Sequence, residues 1–220
     1  MDTENIPEPE EQIRAVYQKI REKIFSRIED FRNVWREGQE EDIFAELVFC
    51  ILTPSSRARS AWSALEALKQ KNLVLYGAFE QVAPYLNTVR FKNKKALFII
   101  RARKLFLVND RISIREKILQ FPSVYDKRDW LVSNVDGIGY KEASHFLRNI
   151  GFTDEITILD RHILKNLSLY EVIEEVPGSL SKKRYLDIEK SMIRFSEMLN
   201  IPVSHLDFIL WFKETGDVFK

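Results

Sequence analysis

Residues 131–164 read LVSNVDGIGYKEASHFLRNIGFTDEITILDRHIL, and this stretch limits the fold more than any other. Two segments of helical periodicity flank Val135-Asp136-Gly137-Ile138-Gly139, which leaves room only for a tight reversal. Glycine takes positive φ at no steric cost, so Gly137 and Gly139 let the chain turn and leave several backbone N–H groups pointing outward where the next helix begins. Such a nest of amides binds phosphate.

Almost every other periodic segment is helical too, with proline and glycine as punctuation. Ile13, Val16, Tyr17, Ile20, Ile24 and Ile28 trace one face of a long first helix, and Phe44, Leu47, Val48 and Ile51 trace a second that ends at Pro54. Ser55 or Ser56 can cap a third, Ala58 to Gln70. Shorter segments follow at Phe79 to Tyr85 and Ser113 to Leu119, with a longer one at Lys94 to Leu107. Asp126 to Ser133 leads into the glycine turn, and Tyr140 to Ile150 leads out of it to Gly151, a natural C-cap. Asp160, Ser181 and Ser204 are placed to cap Arg161 to Leu169, Lys182 to Leu199 and His205 to Glu214. The expected fold is all-α, with no repeat or low-complexity linker.

The 220 residues carry 34 basic and 33 acidic side chains, a balance that excludes coating nucleic acid by bulk charge. A nucleic-acid surface must then be local, and residues 90–104 supply one: Arg90, Lys92, Lys94, Lys95, Arg101, Arg103 and Lys104, with no acid. The single cysteine, Cys50, lies in an apolar run and excludes internal disulfides, a cysteine-ligated iron–sulfur cluster and a zinc ribbon. His145, His162 and His205 lack metal-ligand spacing, so no catalytic metal is expected. The acidic N-terminus has no signal-peptide pattern and no apolar run is long enough to span a bilayer. A cytoplasmic monomer without membrane contact is the expectation.

Two helices joined by V-D-G-I-G make a helix–hairpin–helix, which taken alone is weak evidence of function. Its company strengthens it. Lys141 stands in the first turn after the hairpin, where a helix N-terminus disfavours an ammonium, and Asp160 opens the next candidate helix. A lysine so placed can serve as a nucleophile, and an aspartate near it as a charge partner.

The run L-V-S-N-V-D-G-I-G-Y-K-E-A, followed by I-L-D-R-H-I, resembles the helix–hairpin–helix DNA glycosylase superfamily. Ile51-Leu52-Thr53-Pro54, Arg90 to Ala96 and the aromatic C-terminal end narrow the resemblance to type-2 8-oxoguanine DNA glycosylase/AP lyases. The endonuclease III cysteine cluster is absent, as is a large N-terminal β domain. Where relatives often carry Gln or Asn after the Leu-Thr-Pro segment, this chain has Ser55 and Ser56.

The resemblance implies a bifunctional enzyme that flips 8-oxoguanine out of double-stranded DNA. In it Lys141 attacks C1′ and forms a Schiff base that permits β-elimination, while Asp160 stabilises the positive charge at C1′. It also implies that Trp211 and Phe98 stack on the base, that Lys220 with its α-carboxylate reads the lesion, and that hairpin carbonyls hold a monovalent cation. No other cofactor is expected. The residues alone leave Phe98 divided between this role and a place in a helix core. Phosphate contacts are expected at Gly137, Gly139, Lys141, Arg90 and Lys94. Two interleaved helical lobes follow, residues 40–153 carrying the hairpin and residues 1–39 plus 154–220, with Lys141 and Asp160 meeting at the cleft. The rivals are a glycosylase for another lesion, such as an oxidised pyrimidine or a mismatched base, and a non-catalytic DNA-binding module.

Overall fold

The computed structural model describes residues 9–219. Among them are twelve α-helices, one 3-10 turn and one two-stranded ribbon, and no helix is long and apolar enough to cross a membrane. The chain divides into two compact units, residues 30–152 and the residues up to Glu29 together with Thr153–Phe219. One boundary falls inside α1 (Pro9–Arg36), where the sequence put it near residue 40.

In the unit of residues 30–152 the axis is α2 (Glu40–Leu52), in which every side chain from Ile43 to Leu52 is buried. A helix that is apolar on all sides must be surrounded. The chain winds around it through α3 (Ala58–Gln70), the single turns α4 (Leu73–Tyr76) and α5 (Phe79–Val82), a 3-10 turn at Ala83–Leu86, and α6 (Lys92–Phe106). The ribbon of β1 (Leu107–Val108) and β2 (Arg111–Ile112) comes next, then α7 (Ile114–Leu119), α8 (Val124–Asn134) and α9 (Tyr140–Asn149). Helices α3, α6, α7 and α9 all pack on α2. Asn149 Nδ2 donates to the buried carboxylate of Glu46 at 3.0 Å, which joins α9 to the axis.

Cations finish the helices of this unit, Lys95 buried and Arg103 and Arg115 partly so. The last carbonyls of a helix have no partner within it, and here basic side chains from distant helices supply the donors. Arg115 donates to Trp35 O in the last turn of α1 and to Gly38 O just beyond it, at 2.9 and 2.8 Å. Arg103 donates to Leu73 O, Val74 O and Gly77 O around α4 at 2.9–3.0 Å, and burial lowers its pKa. Lys95 Nζ reaches Leu52 O at the end of α2 at 2.7 Å.

The other unit consists of the first part of α1 with α10 (Arg161–Leu169), α11 (Lys182–Leu199) and α12 (Val203–Thr215). Ile13, Ile20, Ile24 and Ile28 of the expected α1 face are buried, and α12 packs on both α10 and α11. The His205 ring is structural, with Nδ1 2.9 Å from the Tyr17 hydroxyl.

Several local details differ from expectation. Ser55 and Ser56 do not cap α3, whose N-cap is Arg57 in extended conformation, because both serines belong to a preceding turn. Ser204 lies inside α12, which starts one residue earlier behind Pro202, a residue with φ preset for a helix start. The helix expected over Lys94 to Leu107 begins at Lys92 and stops at Phe106, where the ribbon reverses through Asn109 and Asp110. Both take positive φ, 48° and 61°, as a two-residue hairpin turn requires and as Asn and Asp tolerate. Finally, Leu73–Tyr76 makes a turn of helix, too short to show a period.

Candidate active site

The hairpin is assembled from local signals. Ser123 caps α8, its Oγ accepting from the Asp126 N–H at 3.0 Å while Asp126 Oδ2 accepts from the Ser123 N–H at 3.3 Å. Past Asn134 the Val135 N–H still reaches Leu131 O at 2.9 Å, and Ile138 N–H closes the turn on Val135 O at 3.4 Å. Gly137 has φ +81°. Gly139 does not use glycine's freedom as expected, since it sits at φ −101° as the extended N-cap of α9. The turn rests on α6. A Cβ at Gly137 would lie 2.4 Å from Phe98 Cδ2, and Arg101 pairs with Asp136 at 2.7 Å. Phe98 therefore packs on the hairpin.

Lys141 is the second residue of α9. Its side chain is 24% exposed, and Nζ lies 3.7 Å from Glu142 Oε1. The other oxygen of that carboxylate accepts from the Gly139 N–H at 3.3 Å. One carboxylate, that of Glu142, thus engages both the lysine and the N-cap amide of α9.

At the far end of α9 the helix stops as Gly151 predicts. Gly151 takes φ +94°, its N–H bonds to Arg148 O and the Phe152 N–H to Leu147 O, both at 2.9 Å. That is a Schellman closure. The chain from Thr153 to Asp160 then has no regular structure, and α11 supplies its backbone partners. Buried Glu189 Oε1 accepts from the Thr157 N–H at 2.9 Å, and the Tyr185 hydroxyl donates to Thr157 O at 2.7 Å. Asp160 follows as the N-cap of α10, with Oδ1 accepting from the His162 and Ile163 N–H groups at 2.8 and 2.9 Å. One oxygen makes both capping bonds. Oδ2 has no hydrogen-bond partner among the described residues.

Trp211 lies on α12, partly exposed, with the His162 ring edge-on at 5.1 Å and 88°. His162 Nδ1 is 3.6 Å from Glu214 Oε2. The same carboxylate accepts from Lys165 at 3.0 Å and Asn166 at 3.2 Å. These bonds, led by the one from Lys165, lower the Glu214 pKa, with His162 adding a smaller charge effect. Arg90 and Lys94 are exposed. Lys220 lies outside the described residues.

Sequence reasoning passed over His162, Glu189, Tyr185 and Glu214. For His162 a signal existed, because a residue two positions after an N-cap aspartate lies in the first turn beside the cap. The others offered none, since their partners are distant in the chain.

A family model described as 8-oxoguanine DNA glycosylase matches residues 24–201. The 8-oxoguanine DNA glycosylase/AP lyase of Fusobacterium nucleatum is 43% identical over 209 residues, covering 95% of this chain and 96% of the relative. That of Korarchaeum cryptofilum is 42% identical, covering 92% of each. The crystal structure of the 8-oxoguanine DNA glycosylase of Thermotoga maritima is similar at a TM-score of 0.86 and 31% identity, over 96% of this chain and 98% of the other. The Methanocaldococcus jannaschii 8-oxoguanine glycosylase/lyase, solved with a 15mer DNA containing 8-oxoguanine, gives 0.86 and 33%, over 96% and 99%. Matched by the family model over most of its length and by full-length relatives, the chain belongs to the 8-oxoguanine DNA glycosylase family.

Proposed function

We propose that the chain excises 8-oxoguanine from double-stranded DNA and cleaves the strand at the resulting site, with Lys141 as nucleophile and Asp160 as the charge partner of the reacting sugar. The observation that carries the reading is the placement of Lys141 in the first turn of α9, directly after a preformed hairpin.

The target base leaves the stack and Trp211 offers an aromatic face in place of its neighbours. The Lys141 amine forms a bond to C1′ as the glycosidic bond breaks, and the base departs with that electron pair and is protonated. Ring opening and loss of the amine proton give an imine between Nζ and C1′. Removal of a proton from C2′ then expels the 3′ phosphate by β-elimination. Through the early part of this sequence C1′ bears positive charge, and a carboxylate with one oxygen fixed in a cap and the other unpaired, as in Asp160, is suited to stabilise it. Hairpin amides, Arg90 and Lys94 serve phosphate binding, which sets affinity and register.

No redox cofactor enters this chemistry. For a monovalent cation at the hairpin, the fitting donors are the carbonyls of Asp136, Gly137 and Ile138, which accept no hydrogen bond among the described residues. We read the protein as a monomer of the cytoplasm. Borohydride trapping on duplexes with single lesions tests the proposal. An adduct on 8-oxoguanine duplex that Lys141→Gln abolishes is expected. An adduct that persists in this variant would move the nucleophile elsewhere, and adducts on other lesions alone would favour the rival glycosylase.

A further inference from the structure

The most unusual charge in the unit of residues 30–152 belongs to Lys95. It lies in the basic run of α6, yet it is 3% exposed. Its ammonium has three acceptors, Leu52 O at 2.7 Å, Pro54 O at 2.8 Å and Ser56 Oγ at 3.0 Å. An ammonium has three donors, so all are used. The carbonyls belong to the end of α2 and the turn behind it, 41 and 43 residues away in the chain.

That turn is Thr53-Pro54-Ser55-Ser56, closed by the Ser56 N–H on Thr53 O at 2.9 Å. At its tip Ser55 is exposed and held at φ +56°, a conformation a residue with a Cβ seldom adopts unless its surroundings impose it. Ser56 Oγ also accepts from the Arg90 N–H at 3.0 Å. A second tie runs in parallel, from Thr88 Oγ1 to Ser60 O at 3.3 Å. Lys95 and Ser56 therefore join the α2–α3 turn to the chain that enters α6. The joined surface carries exposed Arg57, Arg59, Arg90, Lys92 and Lys94, and residues 53–60 and 87–95 contain no acid. A strained polar tip ringed by cations suits the edge of a duplex, with phosphates around it.

We propose that Lys95 is a positioning residue for base extrusion: its ammonium locks the Thr53–Ser56 turn to the start of α6, so that the turn meets the duplex as a rigid wedge. This rests on the reading that the chain extracts a base from paired DNA. Lys95 touches neither base nor sugar. Its work is done before excision, when the turn must hold its shape against a stacked helix. Burial lowers the Lys95 pKa to about 8, with Glu142 raising and Lys141 further lowering it, so at neutral pH it still holds its acceptors as an ammonium.

Two duplexes separate this role from a merely structural one. In the first, 8-oxoguanine is paired with cytosine. In the second, the same lesion faces an abasic analogue, so extrusion is already easier. Single-turnover excision by Lys95→Met should be at least about tenfold slower than wild type on the paired duplex and within about threefold of it on the unpaired one, because an unpaired base needs less help to leave the stack. Ser56→Ala keeps both carbonyl acceptors and cuts the link to Arg90. It should show the same pattern more weakly, and it decides the matter if Lys95→Met does not fold. Equal slowing on both duplexes, or none on either, overturns the proposal. Wild-type protein inactive on both would instead overturn the underlying reading of function.

Discussion

The ring of Phe98 lies directly against Gly137, so that a Cβ at that glycine would approach Phe98 Cδ2 to 2.4 Å. The hairpin is thus shaped twice over, by its own left-handed residue and by the aromatic face of α6. Gly137→Ala should disturb both, through the cost of φ +81° for a residue with a Cβ and through displacement of the ring. The left-handed conformation alone costs about 1–2 kcal/mol. The expected result is a lowered Tm together with weaker binding of undamaged duplex and a shallower salt dependence, since hairpin–phosphate contacts are lost. Titrations at three salt concentrations would show it. A variant that binds undamaged duplex like wild type would remove the hairpin from the DNA contact.

Asp160 caps α10 through a single oxygen. Asparagine is an equally good cap, so Asp160→Asn should leave Tm nearly unchanged while base excision slows by on the order of a hundredfold or more. Asp160→Ala should lose the activity and about 1 kcal/mol of stability as well. Thermal melts beside single-turnover excision distinguish the two roles. Retained activity in the asparagine variant would leave Asp160 as a cap only.

Glu214 holds a lowered pKa through Lys165, Asn166 and His162. A carboxyl whose pKa is lower folded than unfolded contributes stability above the unfolded value and loses it as pH falls through the folded one. Glu214→Gln should therefore lower Tm at neutral pH, and the difference from wild type should fade as pH drops below the ordinary glutamate value of 4.5. A difference that stays constant into acid would mean that packing, not charge, is what the glutamate contributes. Because His162 links Glu214 to Trp211, the variant should also change Trp211 fluorescence at neutral pH.

Lys95 gives the same sign in a different pH window. Its pKa is lowered to about 8 in the folded chain, chiefly through burial, against the ordinary lysine value of 10.5, with Glu142 and Lys141 the charged groups acting on it. Between those values the unfolded chain binds more protons, so this residue makes stability rise with pH across the window from about 8 to 10.5. The rise should be missing in Lys95→Met. Urea unfolding of both proteins at several pH values gives the difference directly, with the other lysines cancelling. A flat difference curve would mean that the ammonium is not desolvated.

Local chemistry was readable from the sequence. Gly151 ends α9 in left-handed conformation, Asp160 caps α10, Ser181 caps α11 with its Oγ accepting from the Arg184 N–H at 3.2 Å, and Cys50 is buried. Each depends on atoms within about four residues, or on an apolar run that has nowhere to go but inside. The order of hairpin, lysine and aspartate is also a property of the chain alone, and it carried the resemblance to the helix–hairpin–helix glycosylase superfamily. Tertiary structure decided which charges are used for what. Lys94 and Lys95 are neighbours in one basic run, yet one faces solvent and the other is enclosed, because only Lys95 meets the carbonyls of Leu52 and Pro54 from another helix. The Phe98 ring was brought against Gly137, and Thr157 onto Glu189, by the same folding. Caps and periods are written in neighbouring residues, whereas the acceptor that makes a buried charge tolerable comes from a segment that only folding brings near.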